Sequence, residues 1–307
     1  MYNSGIYSTL DELLSFRFHV KRAKINHQQK LIAAKAGYHQ AIRKGRGMTF
    51  TEVREYQAGD EIRHIDWKVT ARTQKTHTKV FTEELEKPVV CITEQTSKLF
   101  FGSQTRFKSV QALNVSVILG WLSIQAGDKF GGQIFNGKSS VWSPIKANHK
   151  ALMSYCHVGL ECQKAIKSPL EELSDTLWLQ ELSKLQKQTQ SGNRIFLIGD
   201  FLDMDENFFQ QLSQLKKRNQ CTLIHIYDPL EKQLPDSKKG LNNLSVSDGN
   251  NTFLLSRNLL KNDHYQQAYQ QAWLLLKEHC GQQHIPLIEI DASQNPVSQL
   301  MQQQVIV

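Results

Sequence analysis

Residues Gly132 to Ser139 read GQIFNGKS and satisfy the phosphate-loop pattern GxxxxGK[ST] letter for letter. That chemistry needs a strand before the loop, a nest of free backbone N–H groups inside it and a helix after it. Here Gln133, Ile134 and Phe135 have strand character themselves, and Ser140-Val141-Trp142-Ser143-Pro144 stays extended. Backbone committed to a sheet ladder cannot point its N–H groups at phosphates, so an NTP-using enzyme at Gly132–Ser139 is the weaker alternative, even though Ile195–Asp200 imitates the second acidic motif of such enzymes. A zinc site from His149, Cys156, His157 and Cys162 is set aside because the spacing fits no compact ligand template. No positioned nucleophile–base pair, carboxylate dyad or cofactor loop is legible, so the chain is not expected to be an enzyme.

The densest chemistry lies in residues 45–84, GRGMTFTEVREYQAGDEIRHIDWKVTARTQKTHTKVFTEE. Arg54, Arg63 and Arg72 interleave with Glu52, Glu55, Asp60, Glu61 and Asp66, while Phe50, Tyr56 and Trp67 offer anchors. Arg–carboxylate pairs at this density fix a loop through bidentate hydrogen bonds, and removing Arg54 or Asp66 is expected to strand a buried charge partner. A polyphosphate or acidic-partner site is the sharper alternative.

The elements that must position these residues change texture along the chain. Residues 9–44 read as one or two helices with Leu10, Leu13, Leu14 and Phe18 on one face, and Thr76–Glu84 reads as extended. From Pro88 short apolar runs alternate with helical patterns. Val89–Thr93, Phe130–Phe135, Arg194–Gly199, Thr222–Tyr227 and Ile285–Ile290 read as strands. Phe107–Ala126, Asn207–Lys217 and Tyr265–His279 read as helices, residues 147–190 as mostly helical, and Leu244–Leu255 as a hairpin. This alternation predicts a three-layer, Rossmann-like α/β domain with a mostly parallel sheet over 88–307, preceded by N-terminal helices and a motif segment over 1–87. Sites in such sheets form at the carboxyl ends of strands, which points to 94–103, Asp200–Asp203 and Asp228.

The formal net charge of +8 over 307 residues resides in residues 1–80, while 81–307 carry as many acidic as basic residues. Nucleic-acid binding through that basic segment is the third alternative. It is weakened by the scarcity of aromatics among the cations of 17–46, which read instead as a docking face for an acidic protein partner. Five scattered cysteines without a CxxC pair read as buried apolar residues in a reducing compartment. The start MYNSGIYSTLDELL has neither the charged n-region nor the apolar run of a signal peptide. Val110–Ala126 is broken by polar residues and reads as a core helix rather than a membrane span. A soluble, cytoplasmic protein is expected.

The motif resembles the signature of a bacterial family known only as domain of unknown function fifty-eight. The resemblance rests on GxGxxF at Gly45–Phe50, on REYxxGD at Arg54, Glu55, Tyr56, Gly59 and Asp60, and on RxIDWxxTAR at Arg63, Asp66, Trp67, Thr70 and Arg72. It continues through TKVFTEE at Thr78–Glu84, FGS at Phe101–Ser103, FKSVQA at Phe107–Ala112 and GDKFGG at Gly127–Gly132, and more loosely through GDF at Gly199–Phe201 and YDPLE at Tyr227–Glu231. The resemblance implies a von Willebrand factor A-like domain working with MoxR-type AAA+ ATPases on unknown client proteins, as an interaction protein and not a catalyst. A-type domains often bind Mg²⁺ through a DxSxS loop, a Thr and a later Asp. On that pattern Glu94, Thr96 and Asp200 are the candidate ligands. Lys98 stands where a ligand hydroxyl belongs, so a degenerate site with no cofactor is expected, Lys98 pairing Glu94 or Asp200.

Overall fold

Short apolar runs become buried strands because every position on them meets a helix layer on one side or the other. The computed structural model describes residues 5–26, 48–83, 87–166, 173–174, 176–232, 245–247, 252–254 and 263–307. In chain order the elements open with α1 (Leu10–His19), β1 (Met48–Glu55), α2 (Trp67–Thr73) and β2 (His77–Glu83). There follow β3 (Val89–Glu94), α3 (Lys108–Gln125), β4 (Phe130–Phe135), β5 (Ser140–Lys146), α4 (His149–Ala165) and α5 (Leu177–Gln188). Then come β6 (Arg194–Gly199), α6 (Glu206–Lys216), β7 (Gln220–Tyr227), α7 (Pro229–Lys232), β8 (Ser245–Ser247) and β9 (Thr252–Leu254). The chain closes with α8 (Asp263–Gln282), β10 (Leu287–Asp291) and α9 (Pro296–Gln302).

Six strands form one sheet in the order β10-β7-β6-β3-β4-β5, and only β5 runs antiparallel to its neighbour. Alternation along the strands builds two separate cores. Val89, Cys91, Phe196, Ile198, Ile224 and Ile226 pack with α1, α3, α4 and α9 on one face. Val90, Ile92, Ile195, Leu197 and Leu223 pack with α5, α6 and α8 on the other. The expected three-layer α/β architecture is therefore present. Every residue of α3 from Lys108 to Ser123 is buried, as the core-helix reading requires, and no helix among the described residues is long and apolar enough to cross a membrane. All five cysteines are free and buried.

The chain leaves β3 toward β4 and β5, then returns to β6 on the opposite side of β3. Adjacent strands whose connections depart in opposite directions leave a crevice at their carboxyl ends, the place where open α/β sheets bind ligands. That crevice lies between Glu94, the last residue of β3, and Asp200, which follows β6.

Contacts divide the chain into a unit of residues 1–34 plus 87–307 and a unit of 35–86, so α1 groups with the sheet and not with the motif segment expected to accompany it. Apolar burial explains the grouping. Leu13, Phe16, Val20 and Ile25 are buried in the α3 core, and the Trp121 Nε1 donates to the Leu13 carbonyl at 3.0 Å. Phe16 takes the buried position expected of Phe18, which is 65% exposed with the Arg17 guanidinium 4.4 Å from its ring centroid. Among the basic residues expected to form a docking face, Arg17, Lys21, Arg22 and Lys24 are exposed. The rest of that face, and the helix expected through 27–44, lie outside the described residues.

The motif unit is a β1–β2 hairpin with α2 between its strands in sequence, and a register shift between Phe50 and Glu52. Asp66 caps α2, its Oδ1 accepting the Lys68 and Val69 amides at 3.1 Å each. Asp66→Ala is expected to lower the thermal stability of this unit and Asp66→Asn to restore it, because asparagine caps equally well. Melting curves of the two variants check this. The hairpin expected over Leu244–Leu255 is present as β8–β9, β4 and β5 pair as a second antiparallel hairpin, and β1 and α9 fall where no element was expected.

Candidate functional site

At the crevice, Thr96 Oγ1 donates to Glu94 Oε1 at 2.6 Å and the Asp200 amide donates to Glu94 Oε2 at 3.0 Å. The three residues expected as metal ligands are thus brought together, but by bonds among themselves. Lys98, on a single 3₁₀ turn of Ser97–Leu99, donates to the Asp203 carboxylate and lies 3.8 Å from Asp200 Oδ1. Lys108, the first residue of α3, donates to Asp200 Oδ2 at 2.9 Å and to Glu231 Oε1 at 2.6 Å, with its side chain 1% exposed. Asp200 Oδ1 also accepts the Leu202 amide at 3.2 Å, and Glu231 Oε2 accepts the Asp228 amide at 2.9 Å. Asp228 in turn holds Ser103 through its amide and hydroxyl, tying the FGS turn to the end of β7.

The electrostatics follow from burial set against these pairs. Burial alone would raise the Asp200 carboxyl, but Lys108, Lys98 and His225 together hold it well below the usual carboxylate range. Burial alone would lower Lys108, yet Asp200 and Glu231 overcome it and raise its ammonium above the ordinary value. Burial raises the Glu94 and Glu231 carboxyls. Burial also depresses His225 to about 4, so its imidazole is neutral, with Nδ1 accepting the Phe201 amide at 3.4 Å. What results is a fixed charge cluster with each partner already satisfied, sealed inward at Lys108 and open outward at Lys98 and Asp203. Beside the outer end lies a cavity of ≈ 250 Å³ lined by Glu94, Lys98, Leu177, Trp178, Asp203 and Phe208 among others.

Mg²⁺ demands several free hard oxygens in near-octahedral array. Both Glu94 oxygens and both Asp200 oxygens are engaged by donors of the chain, and two ammonium groups lie within 4 Å of Asp200. These residues do not fit the ion. Among the described residues no group of three or more His, Cys, Asp or Glu side chains could hold a metal, and His149, Cys156, His157 and Cys162 all lie along α4.

Gly132–Phe135 lies in β4 and Asn136–Ser139 forms the turn into β5, with Asn136 Oδ1 accepting the Lys138 and Ser139 amides. Gly132 is required by close strand packing, since a Cβ there would come 2.0 Å from the Cys91 carbonyl oxygen.

The signature motif splits in two. Arg54 donates to Asp60 at 2.7 Å, Lys75 to Glu55 at 2.9 Å, the His77 amide to Thr70 Oγ1 at 3.0 Å and the Tyr56 amide to the Thr76 carbonyl at 2.8 Å. Gly59 has φ +110, a backbone that favours glycine. These residues, with Asp66, hold the unit together. Their pairs sit at the surface, however, so removing Arg54 strands no buried charge, contrary to the expectation from sequence. Arg63 and Arg72 are exposed, and Trp67, read as an anchor, is 67% exposed because the two-turn α2 offers no core to receive it. Ile62 of the same segment is 69% exposed. Among the described residues Arg63, Lys68 and Arg72 have no carboxylate partner.

The sequence model of a family described as "Protein of unknown function DUF58" matches residues 52–273. The uncharacterised protein Rv1480 of Mycobacterium tuberculosis H37Rv and its counterpart Mb1516 of Mycobacterium bovis are each 24% identical over 217 residues, covering 71% of this chain and 67% of theirs. Among solved structures, the conserved hypothetical protein BatB from Bacteroides thetaiotaomicron is similar at TM-score 0.41 and 14% identity, over 71% of this chain and 96% of that one. An aerotolerance-related membrane protein from Bacteroides fragilis NCTC 9343 is similar at the same TM-score and identity, over 71% of this chain and 98% of its own.

Proposed function

This chain belongs to the DUF58 family of proteins of unknown function, and on that premise we propose that it is a non-enzymatic protein-interaction module. In this reading it acts in the cytoplasm as an adaptor or co-chaperone of a MoxR-type AAA+ ATPase in the assembly or activation of client proteins, and needs no cofactor. The observation that carries the reading is the outer surface of the motif unit. There Trp67 and Ile62 expose large apolar side chains among the cations Arg63, Lys68 and Arg72, none of them neutralised by a carboxylate among the described residues. An exposed tryptophan on a segment that also carries exposed arginines has the composition of an interface hot spot, and cations with no carboxylate partner among the described residues favour an acidic partner segment. The crevice supports the same reading, since both oxygens of Glu94 and of Asp200 are already engaged by donors of the chain.

Co-expression with the ATPase tests the proposal. The two proteins are expected to co-purify and the ATPase rate to change on binding. Trp67→Ala or Arg72→Glu is expected to weaken the complex by roughly 30-fold or more, as for a hot-spot residue, while the melting temperature holds. A chain that binds neither the ATPase nor a client, and leaves the ATPase rate unmoved, overturns it.

A further inference from the structure

We infer that the ammonium groups of Lys98 and Lys108 take the place of a divalent cation at the crossover of the sheet, so that this edge is assembled by the chain itself and closed to Mg²⁺. A bound divalent ion in such a crevice would neutralise acids at the ends of neighbouring strands and cross-link the segments that carry them. Lys108 does both here. Its one ammonium bridges Asp200, just after β6, and Glu231 in α7, reaching them from the start of α3 at 2.9 and 2.6 Å. Lys98 repeats the arrangement nearer solvent, between Asp200 and Asp203.

The oxygens an ion would need point elsewhere. Glu94 spends one oxygen on the Thr96 hydroxyl and the other on the Asp200 amide, which also ties the end of β3 to the end of β6 without a metal. Asp200 keeps no oxygen clear of a donor. An ion entering the crevice would have to displace an ammonium from a site where both the attraction and the geometry are already satisfied. The side-chain length matters: a hydroxyl at position 98 could serve an ion as ligand, whereas a lysine there delivers the positive charge itself. The inference is independent of which partner the chain binds, because its readout is ion binding and not complex formation.

Titration with Mn²⁺, followed by the paramagnetic signal of the free ion, tests it on the full-length chain. The wild type is expected to show no saturable Mn²⁺ binding and a melting temperature unchanged by chelator or by added Mg²⁺. Lys98→Ser, which removes the outer ammonium and supplies a hydroxyl, is expected to bind Mn²⁺ at least about tenfold more tightly than the wild type and to be stabilised by it. Lys98→Ser with Asp200→Asn is expected to lose that gain. Saturable binding by the wild type that Asp200→Asn abolishes overturns the inference, and so does a folded Lys98→Ser protein that gains nothing. The wild-type arm stands whether or not the variants fold.

Discussion

Lys108→Met is expected to lower the unfolding free energy by about 3–5 kcal/mol, the range found when one partner of a buried ion pair is removed. Methionine keeps most of the aliphatic stem, so packing in the first turn of α3 changes little and the loss isolates the charge. Without the ammonium, Asp200 Oδ2 and Glu231 Oε1 face each other's charge inside the fold, since both had been drawn to the same Nζ. Asp200 retains the Leu202 amide and the more distant Lys98, which is too little to replace a direct bond at this depth. Urea denaturation of wild type and variant measures the difference. Adding Asp200→Asn and Glu231→Gln to Lys108→Met removes the stranded charges and is expected to recover at least half of the loss. A single variant within about 1 kcal/mol of wild type would show that Lys108 does not hold these acids together.

The elements around this cluster were legible in sequence and the cluster itself was not. Val89–Glu94, Arg194–Gly199 and Gln220–Tyr227 are short segments rich in apolar residues, and such segments become parallel strands wherever helices cover both faces. The crossover rule then placed Glu94 and Asp200 at the carboxyl ends without any coordinates. Lys108 escaped notice because a lysine in the first turn of a helix is ordinarily a solvated residue, and nothing local says that Asp200 and Glu231, 92 and 123 positions away, will converge on it. The available signal was its company: it opens a helix whose next fifteen residues are all buried, an odd place for an ammonium unless acids await it. The motif misled in the opposite direction. Dense alternation of Arg and carboxylate suggested buried pairs, but a hairpin with one short helix has too little volume to bury them. Trp67 and three cations were accordingly left on its surface.

Between pH 7 and pH 4 the wild type is expected to lose about 3 kcal/mol of stability relative to His225→Asn, from the drop of the His225 imidazole from its ordinary value of 6.5 to about 4. Burial is the main cause, with Lys108, Lys98 and Lys232 adding to it and Asp200, 3.7 Å from Nδ1, opposing it. The Trp273 ring, its centroid 5.5 Å from that of the imidazole, offers a cation no solvent to replace water. In the unfolded chain the imidazole takes up its proton near 6.5, and in the folded chain only near 4. Through that window the unfolded state binds more protons, so stability falls as the pH falls. Asp200 acts in the same sense at lower pH, because its depressed carboxyl stays ionised in the fold after the unfolded chain has been protonated. Glu94 and Glu231 act in the opposite sense, because burial raises them and the folded state takes up their protons first. These three acids are present in both proteins, so subtracting the two stability curves leaves His225. Asparagine suits the comparison because its Oδ1 can accept the Phe201 amide that Nδ1 accepts in the wild type. A flat difference curve across the window would mean that His225 is charged inside the fold, where its proton would pair with Asp200 and compete with the lysines for the same carboxylate.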